Sequence, residues 1–184
     1  IKGKLEHFIS RKAMNIDSLG EEKIDLLVEQ KKILRIEDLY RLRAEDLIGL
    51  EKSYVTNEKE RIVSFREKTV QNILNGIAQS KTVSFDRVLY AIGIRYVGDT
   101  SAKKLAQHFR NIDGLMQASV LQLMEVQDIG EKIAESIVLY FQDNDNLKTI
   151  QSLKENGLQF SLTQNETPLS SKLQGLTFVV SGSF

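Results

Sequence analysis

The sequence predicts an all-α fold: four tandem units of helix, hairpin bend and helix. Three observations predict it. Apolar residues recur at helical spacing through most of the chain. The only proline among the 184 residues, Pro168, lies beyond them in a polar stretch, so no proline breaks a helix from within. The third observation is an internal register. Gly20, Gly98 and Gly130 each follow an apolar residue (Leu19, Val97, Ile129) and precede others four positions on (Ile24, Ala102, Ala134) and seven positions on (Leu27, Leu105, Ile137). Phe65-Arg66 fits the same frame with Val70 and Ile73, a fourth copy with Arg66 where glycine is expected.

In chain order, Leu5, Phe8 and Ile9 place a helix within the first 14 residues. Ile16 to Gly20 reads as a bend, and Glu21 to Lys32 as a helix whose acidic first turn suits the positive end of the helix dipole. Two short helices follow, Ile36 to Leu42 and Ala44 to Leu50. Glu51 to Ser64 is polar, offers Tyr54, Val55, Ile62 and Val63 as anchors, and has no assignable period. Val70, Ile73, Leu74 and Ile77 restore a helix that runs to about Ser80-Lys81. Ser84 is placed to cap Phe85 to Ile92. After a turn at Tyr96-Val97-Gly98, Asp99 to Phe109 puts Ala102, Leu105, Ala106 and Phe109 on one face. Ile112 to Ala118 and Leu121 to Val126 are short helices, Asp128-Ile129-Gly130 is a bend, and Glu131 to Phe141 is a helix. Asp143 to Asn156 continues as helix and stops at Gly157. Residues 1–162 therefore form one helical domain, 163–171 a linker and 172–184 a short tail.

Composition sets limits on function. Lys+Arg 25 against Asp+Glu 25 gives no net charge, so a nucleic-acid partner would have to be held by local geometry and not by a basic bulk. The absence of cysteine excludes disulfides and thiolate metal sites. His7 and His108, 101 positions apart with no cysteine, do not make a zinc site; His7 is expected to pack beside Phe8 or bind a carbonyl. The longest apolar runs, such as Leu176 to Val180, fall far short of a membrane span, so a soluble cytoplasmic protein is expected. The start at Ile1 suggests a piece of something longer.

Packing explains the recurring apolar positions, but it does not require glycine at the mouth of each helix. Gly98 is expected to take a backbone conformation closed to bulkier residues and to leave the first N–H groups of the next helix uncovered. Such a terminus attracts phosphate. Gly93 to Thr100 also scans as Gly-x-x-x-x-Gly followed by Asp-Thr, but Asp99 stands where a nucleotide loop needs lysine, and no buried strand precedes it.

The repeated unit resembles the helix-hairpin-helix motif, and the order of segments resembles the C-terminal half of bacterial NAD-dependent DNA ligases. The stretches that carry the likeness are His7 to Ile16, Asp38-Leu39-Tyr40, Glu67-Lys68-Thr69, Ala91 to Gly98, and Leu173 to Gly182. The resemblance implies a non-catalytic clamp whose hairpin N–H groups grip the minor-groove sugar-phosphate backbone of nicked duplex DNA without sequence preference. The partners it implies are that duplex and the other domains of the same ligase. The DNA-binding set expected on this basis is Gly20, Gly98 and Gly130, helped by Lys23, Arg66, Lys68, Thr69, Arg95, Thr100, Ser101, Lys103 and Lys132. It further implies that the four units pack as pseudo-symmetric pairs, that a four-cysteine zinc module lies upstream of Ile1, that 172–184 is a short C-terminal β segment, the truncated start of a BRCT domain, and that the parent enzyme uses NAD and Mg. The family's Lys-x-Asp-Gly nucleophile has no counterpart: the nearest string is Asn111-Ile112-Asp113-Gly114, and no cofactor is expected on this segment. In place of the motif's first hairpin glycine stand Ser18, Tyr96 and Asp128, and Asp128 makes the fourth bend the weakest candidate for phosphate. Two rival readings are a free-standing helix-hairpin-helix scaffold of DNA repair or recombination, and a helical protein-interaction module.

Overall fold

The apolar positions that recur in the sequence lie on facing sides of successive helices. The computed structural model describes residues 1–163. In chain order these hold α1 (Lys2–Ile9), α2 (Glu21–Glu29), a 3-10 helix (Ile36–Arg41), α3 (Ala44–Leu47), β1 (Glu51–Thr56), β2 (Lys59–Ser64) and α4 (Glu67–Ser80). They continue with α5 (Phe85–Ala91), α6 (Asp99–Phe109), α7 (Ile112–Gln117), α8 (Val120–Met124), α9 (Glu131–Gln142) and α10 (Asn144–Glu155). The linker and C-terminal β segment expected over 163–171 and 172–184 fall, apart from Thr163, outside the described residues.

Each bend joins a short helix to the helix that packs back on it: α1 on α2, α3 on α4, α5 on α6, and α8 on α9. Contacts of α1 with α5, and of α10 with both α9 and the 3-10 helix, tie the early elements to the late ones. One core results, with Leu5, Phe8, Ile24, Leu27, Ile73, Phe85, Leu105, Ala134 and Ile137 at 0% exposure. Each large side chain buried this fully contributes roughly 1.5–3 kcal/mol. The small residues Ala102 and Ala134 sit one turn into α6 and α9 at zero exposure, where a larger side chain would hold the partner helix away.

The all-α expectation is corrected between the third and fourth helices. The polar stretch Glu51 to Ser64 is an antiparallel β-hairpin, pairing Glu51 with Ser64 through Thr56 with Lys59. Its two-residue loop, Asn57-Glu58, has φ of 51° and 63°, the left-handed pair of a type I′ turn that matches strand twist. Lys52 and Tyr54 turn inward and alternate with exposed Ser53 and Val55, a period of two that no helical template finds. The inner face lies on α2: the Tyr54 hydroxyl donates to the Glu22 carbonyl at 3.0 Å and Lys52 pairs with Asp25 at 2.9 Å.

Smaller corrections follow from local chemistry. The expected helix Ala44 to Leu50 stops at Leu47, and Gly49, at φ +89°, redirects the chain. Asp143 interrupts the last two helices: its carboxylate accepts from Asp145 N–H at 2.8 Å and caps α10 as a new start. Ser84 precedes α5 without capping it by side chain, since its hydroxyl donates to Asp86 at 2.5 Å instead.

Candidate nucleic-acid interface

Four helices begin in the same way. Gly20, Arg66, Gly98 and Gly130 are the N-caps of α2, α4, α6 and α9, with φ/ψ of −113/179, −100/175, −82/−179 and −83/177 degrees. At each, the cap carbonyl accepts the first helical hydrogen bond, from Ile24, Val70, Ala102 and Ala134 at 2.9–3.0 Å, and no side chain caps the N–H groups. Those leading N–H groups have no acceptor within the helix. The bends also close alike. The N–H before the cap donates three residues back in three of them: Leu19 to Ile16, Val97 to Ile94 and Ile129 to Val126, at 3.0–3.1 Å. In the remaining one, the second in chain order, Phe65 N–H donates to Leu50 carbonyl at 2.7 Å, and the β-hairpin fills the interval.

The glycines are not where the backbone needs them. Gly98 is extended, so the expectation that it holds a conformation closed to other residues is wrong; the left-handed positions are Tyr96 (φ 69°) and Asp128 (φ 66°), two residues before the caps. Among the described residues, a Cβ built on Gly20, Gly98 or Gly130 meets nothing within 4 Å. Neither conformation nor internal packing therefore calls for glycine at these three helix mouths, and all three are exposed.

The expected side chains distribute unevenly around these mouths. Arg66 and Lys68 are exposed at the start of α4 with half-buried Thr69 beside them. Thr100 and Lys103 are exposed on α6, and Ser101 is half-buried. Lys23 turns back: its ammonium donates to the Ser18 carbonyl at 2.8 Å and braces its own bend. Arg95 and Lys132, from different bends, meet at Tyr96, with the guanidinium 4.9 Å and the ammonium 4.4 Å from the ring centre.

Two contacts lock the third and fourth bends together reciprocally. The Ser136 hydroxyl of α9 donates to the Arg95 carbonyl at 2.6 Å, and Lys104 of α6 pairs with Asp128. Ser136 and Lys104 each lie six residues after their cap glycine, so the repeat register held the signal although the sequence reading passed over it. Lys104 offsets the carboxylate of Asp128, and Lys12 does the same for Asp99 at 3.5 Å. Arg95, Tyr96 and Lys132 also border an open cleft of about 1040 Å³, but Glu37, Glu135, Asp143 and Asp145 line it too, which suits a polyanion poorly.

His7 is structural, as its sequence context implied: its Nε2 lies 2.7 Å from the Tyr90 carbonyl and its ring meets the Tyr90 ring edge-on. Asn111 caps α7 by accepting from Gly114 N–H at 2.8 Å, a role a lysine ammonium could not fill. Among the described residues no group of three or more His, Cys, Asp or Glu is placed to hold a metal, and no helix is long and apolar enough to cross a membrane.

Comparison with known proteins bears on this arrangement. The helix-hairpin-helix motif family matches residues 87–150, which contain the third and fourth bends. Over its full length the chain is 46% identical to a DNA ligase of Cytophaga hutchinsonii and 42% identical to a DNA ligase of Flavobacterium psychrophilum. This chain belongs to the DNA ligase family as a segment of it. It spans about a quarter, 26%, of the length of those two relatives. A DNA ligase of Bacillus pumilus is 44% identical over 89% of the chain. Over its described residues the segment is thus mostly helical, with one two-stranded sheet and a helix-hairpin-helix region in its second half.

Proposed function

We propose that the chain is a non-catalytic DNA clamp of an NAD-dependent ligase, four helix-hairpin-helix units in two pseudo-symmetric pairs that grip the minor-groove backbone of nicked duplex DNA. The observation that carries this reading is the set of three glycine N-caps whose missing Cβ would touch none of the described residues. A bare mouth that the fold does not require leaves room for an external backbone to approach. Similarity to DNA ligases over the whole of this chain favours this over a free-standing scaffold.

Magnitudes explain the repetition. One exposed helix N-terminus favours an anion by roughly 0.3–1 kcal/mol, and four together reach only about millimolar affinity. The cations Arg66, Lys68, Arg95, Lys103 and Lys132 supply the rest by neutralising phosphates, which fixes position without reading bases. NAD, a divalent metal and a structural zinc belong in this reading to other parts of the parent enzyme, where nick sealing takes place. The other domains of that ligase are the second proposed partner. The exposed apolar pair Val55 and Ile62 on the outer face of the β-hairpin supports that contact.

The test is Gly98→Val in the full 184-residue chain, titrated against a labelled nicked duplex. The variant is expected to bind at least about tenfold more weakly, while its unfolding free energy stays within about 0.5 kcal/mol of the parent. Equal affinity for the two proteins removes the third bend from the interface.

A further inference from the structure

Tyr96 stands out at the third bend. A bulky side chain at φ +69° is an uncommon and strained choice, in a place where glycine would fit freely. The residue is 45% exposed, so core packing does not explain it. The backbone on both sides is fixed, by Val97 N–H to the Ile94 carbonyl at 3.0 Å and by Ser136 to the Arg95 carbonyl at 2.6 Å. Its position is therefore imposed and not a result of a loose loop.

The fourth bend shows what the ring does. Asp128 holds the equivalent place, two residues before its glycine and at φ +66°, and it too reaches a cation of the neighbouring unit, Lys104. There the partner is a carboxylate, and the lysine's charge is consumed. Tyr96 reaches Lys132 and Arg95 through the face of an aromatic ring, which attracts a cation without cancelling its charge. We infer that Tyr96 is a positioning residue that holds Arg95 and Lys132, from two different bends, as a pair of undiminished charges set for two phosphates of one duplex. The inference rests on the DNA-binding reading above and adds to it which charges act together.

Tyr96→Phe, Tyr96→Leu and Tyr96→Gly in the full chain, titrated with nicked duplex between about 50 and 200 mM salt, test it. Phe keeps the ring and is expected to bind as the parent does. Leu keeps apolar bulk without the ring's charge distribution, and is expected to bind about fivefold or more weakly at low salt. Its salt slope should be shallower by up to about 1.8, the share of two phosphates. Gly is expected to lose affinity like Leu while melting no lower than the parent, because the left-handed conformation suits it. A purely structural tyrosine would give the opposite pairing, lower stability with an unchanged slope. Parental affinity and slope in Tyr96→Leu overturn the inference alone. A parent chain that shows no salt-dependent binding overturns the DNA reading and the inference with it.

Discussion

The second and third bends perform the same turn with different material. In the third, two residues separate Ile94 from Val97, and a 3.0 Å hydrogen bond closes the gap. In the second, a fourteen-residue β-hairpin separates Leu50 from Phe65, yet the corresponding bond closes at 2.7 Å and the next residue caps its helix with nearly the same dihedrals. The residue before each closing position is also alike: Gly49 and Gly93 are both left-handed, at φ 89° and 74°. The difference teaches that the closing bond and the buried residue before the cap fix the bend. Neither glycine at the cap nor a short loop is needed for folding. What glycine adds at Gly98, and Arg66 takes away, is a bare surface.

The strongest way to break this comparison is to remove the buried residue. Phe65 is 1% exposed and anchors the second bend as Val97 anchors the third. Phe65→Ala is expected to cost about 3–5 kcal/mol, read from urea unfolding, because so large a void cannot collapse fully. A loss below about 1 kcal/mol would mean that the hairpin, through its contacts with α2, holds the second bend in place of Phe65.

The anchors were legible in the sequence because burial leaves a period. Leu19, Phe65, Val97 and Ile129, and the residues four positions after each cap, are all buried as the register required. The β-hairpin was not legible, since its inward residues Lys52 and Tyr54 are themselves polar-tipped and are satisfied by α2, some thirty residues back. The contacts between the third and fourth bends escaped for a like reason: Lys104 meets Asp128 across 24 residues and Ser136 meets Arg95 across 41. Gly98 was misread because a glycine in a turn suggests unusual dihedrals. The backbone strain is borne two residues earlier, by Tyr96 and Asp128, the places where the motif has its first glycine.

A gentler probe exchanges the surface instead of the anchor. Arg66→Gly gives the second bend the bare mouth of the third. At φ −100° the position suits either residue, so stability should stay within about 0.5 kcal/mol. If Arg66 meets phosphate by charge, the salt slope of DNA binding should become shallower by about 0.9. If the bare mouth matters more than charge, affinity at low salt will rise instead, and the two bends are interchangeable for DNA as they are for folding.

The smallest expected effect concerns how the insertion is fastened. The Asp25 carboxylate takes a hydrogen bond from the Lys2 ammonium and another from Lys52 of β1, and these, in that order, hold its carboxyl well below the usual carboxylate range. The unfolded chain therefore binds the proton more readily than the folded one. Stability from this site is present above an unfolded value of about 3.9 and is lost as pH falls below it toward the folded value. Asp25→Asn should consequently flatten the decline of the urea midpoint between about pH 4 and pH 2. Hydrogen exchange separates the two regions directly. On acidification the amides of β1 and β2 should lose protection before those of α6 and α9, because Asp25 fastens the insertion and the start of α1 but touches neither α6 nor α9. Simultaneous loss in both regions would mean that the second bend is no more detachable than the third.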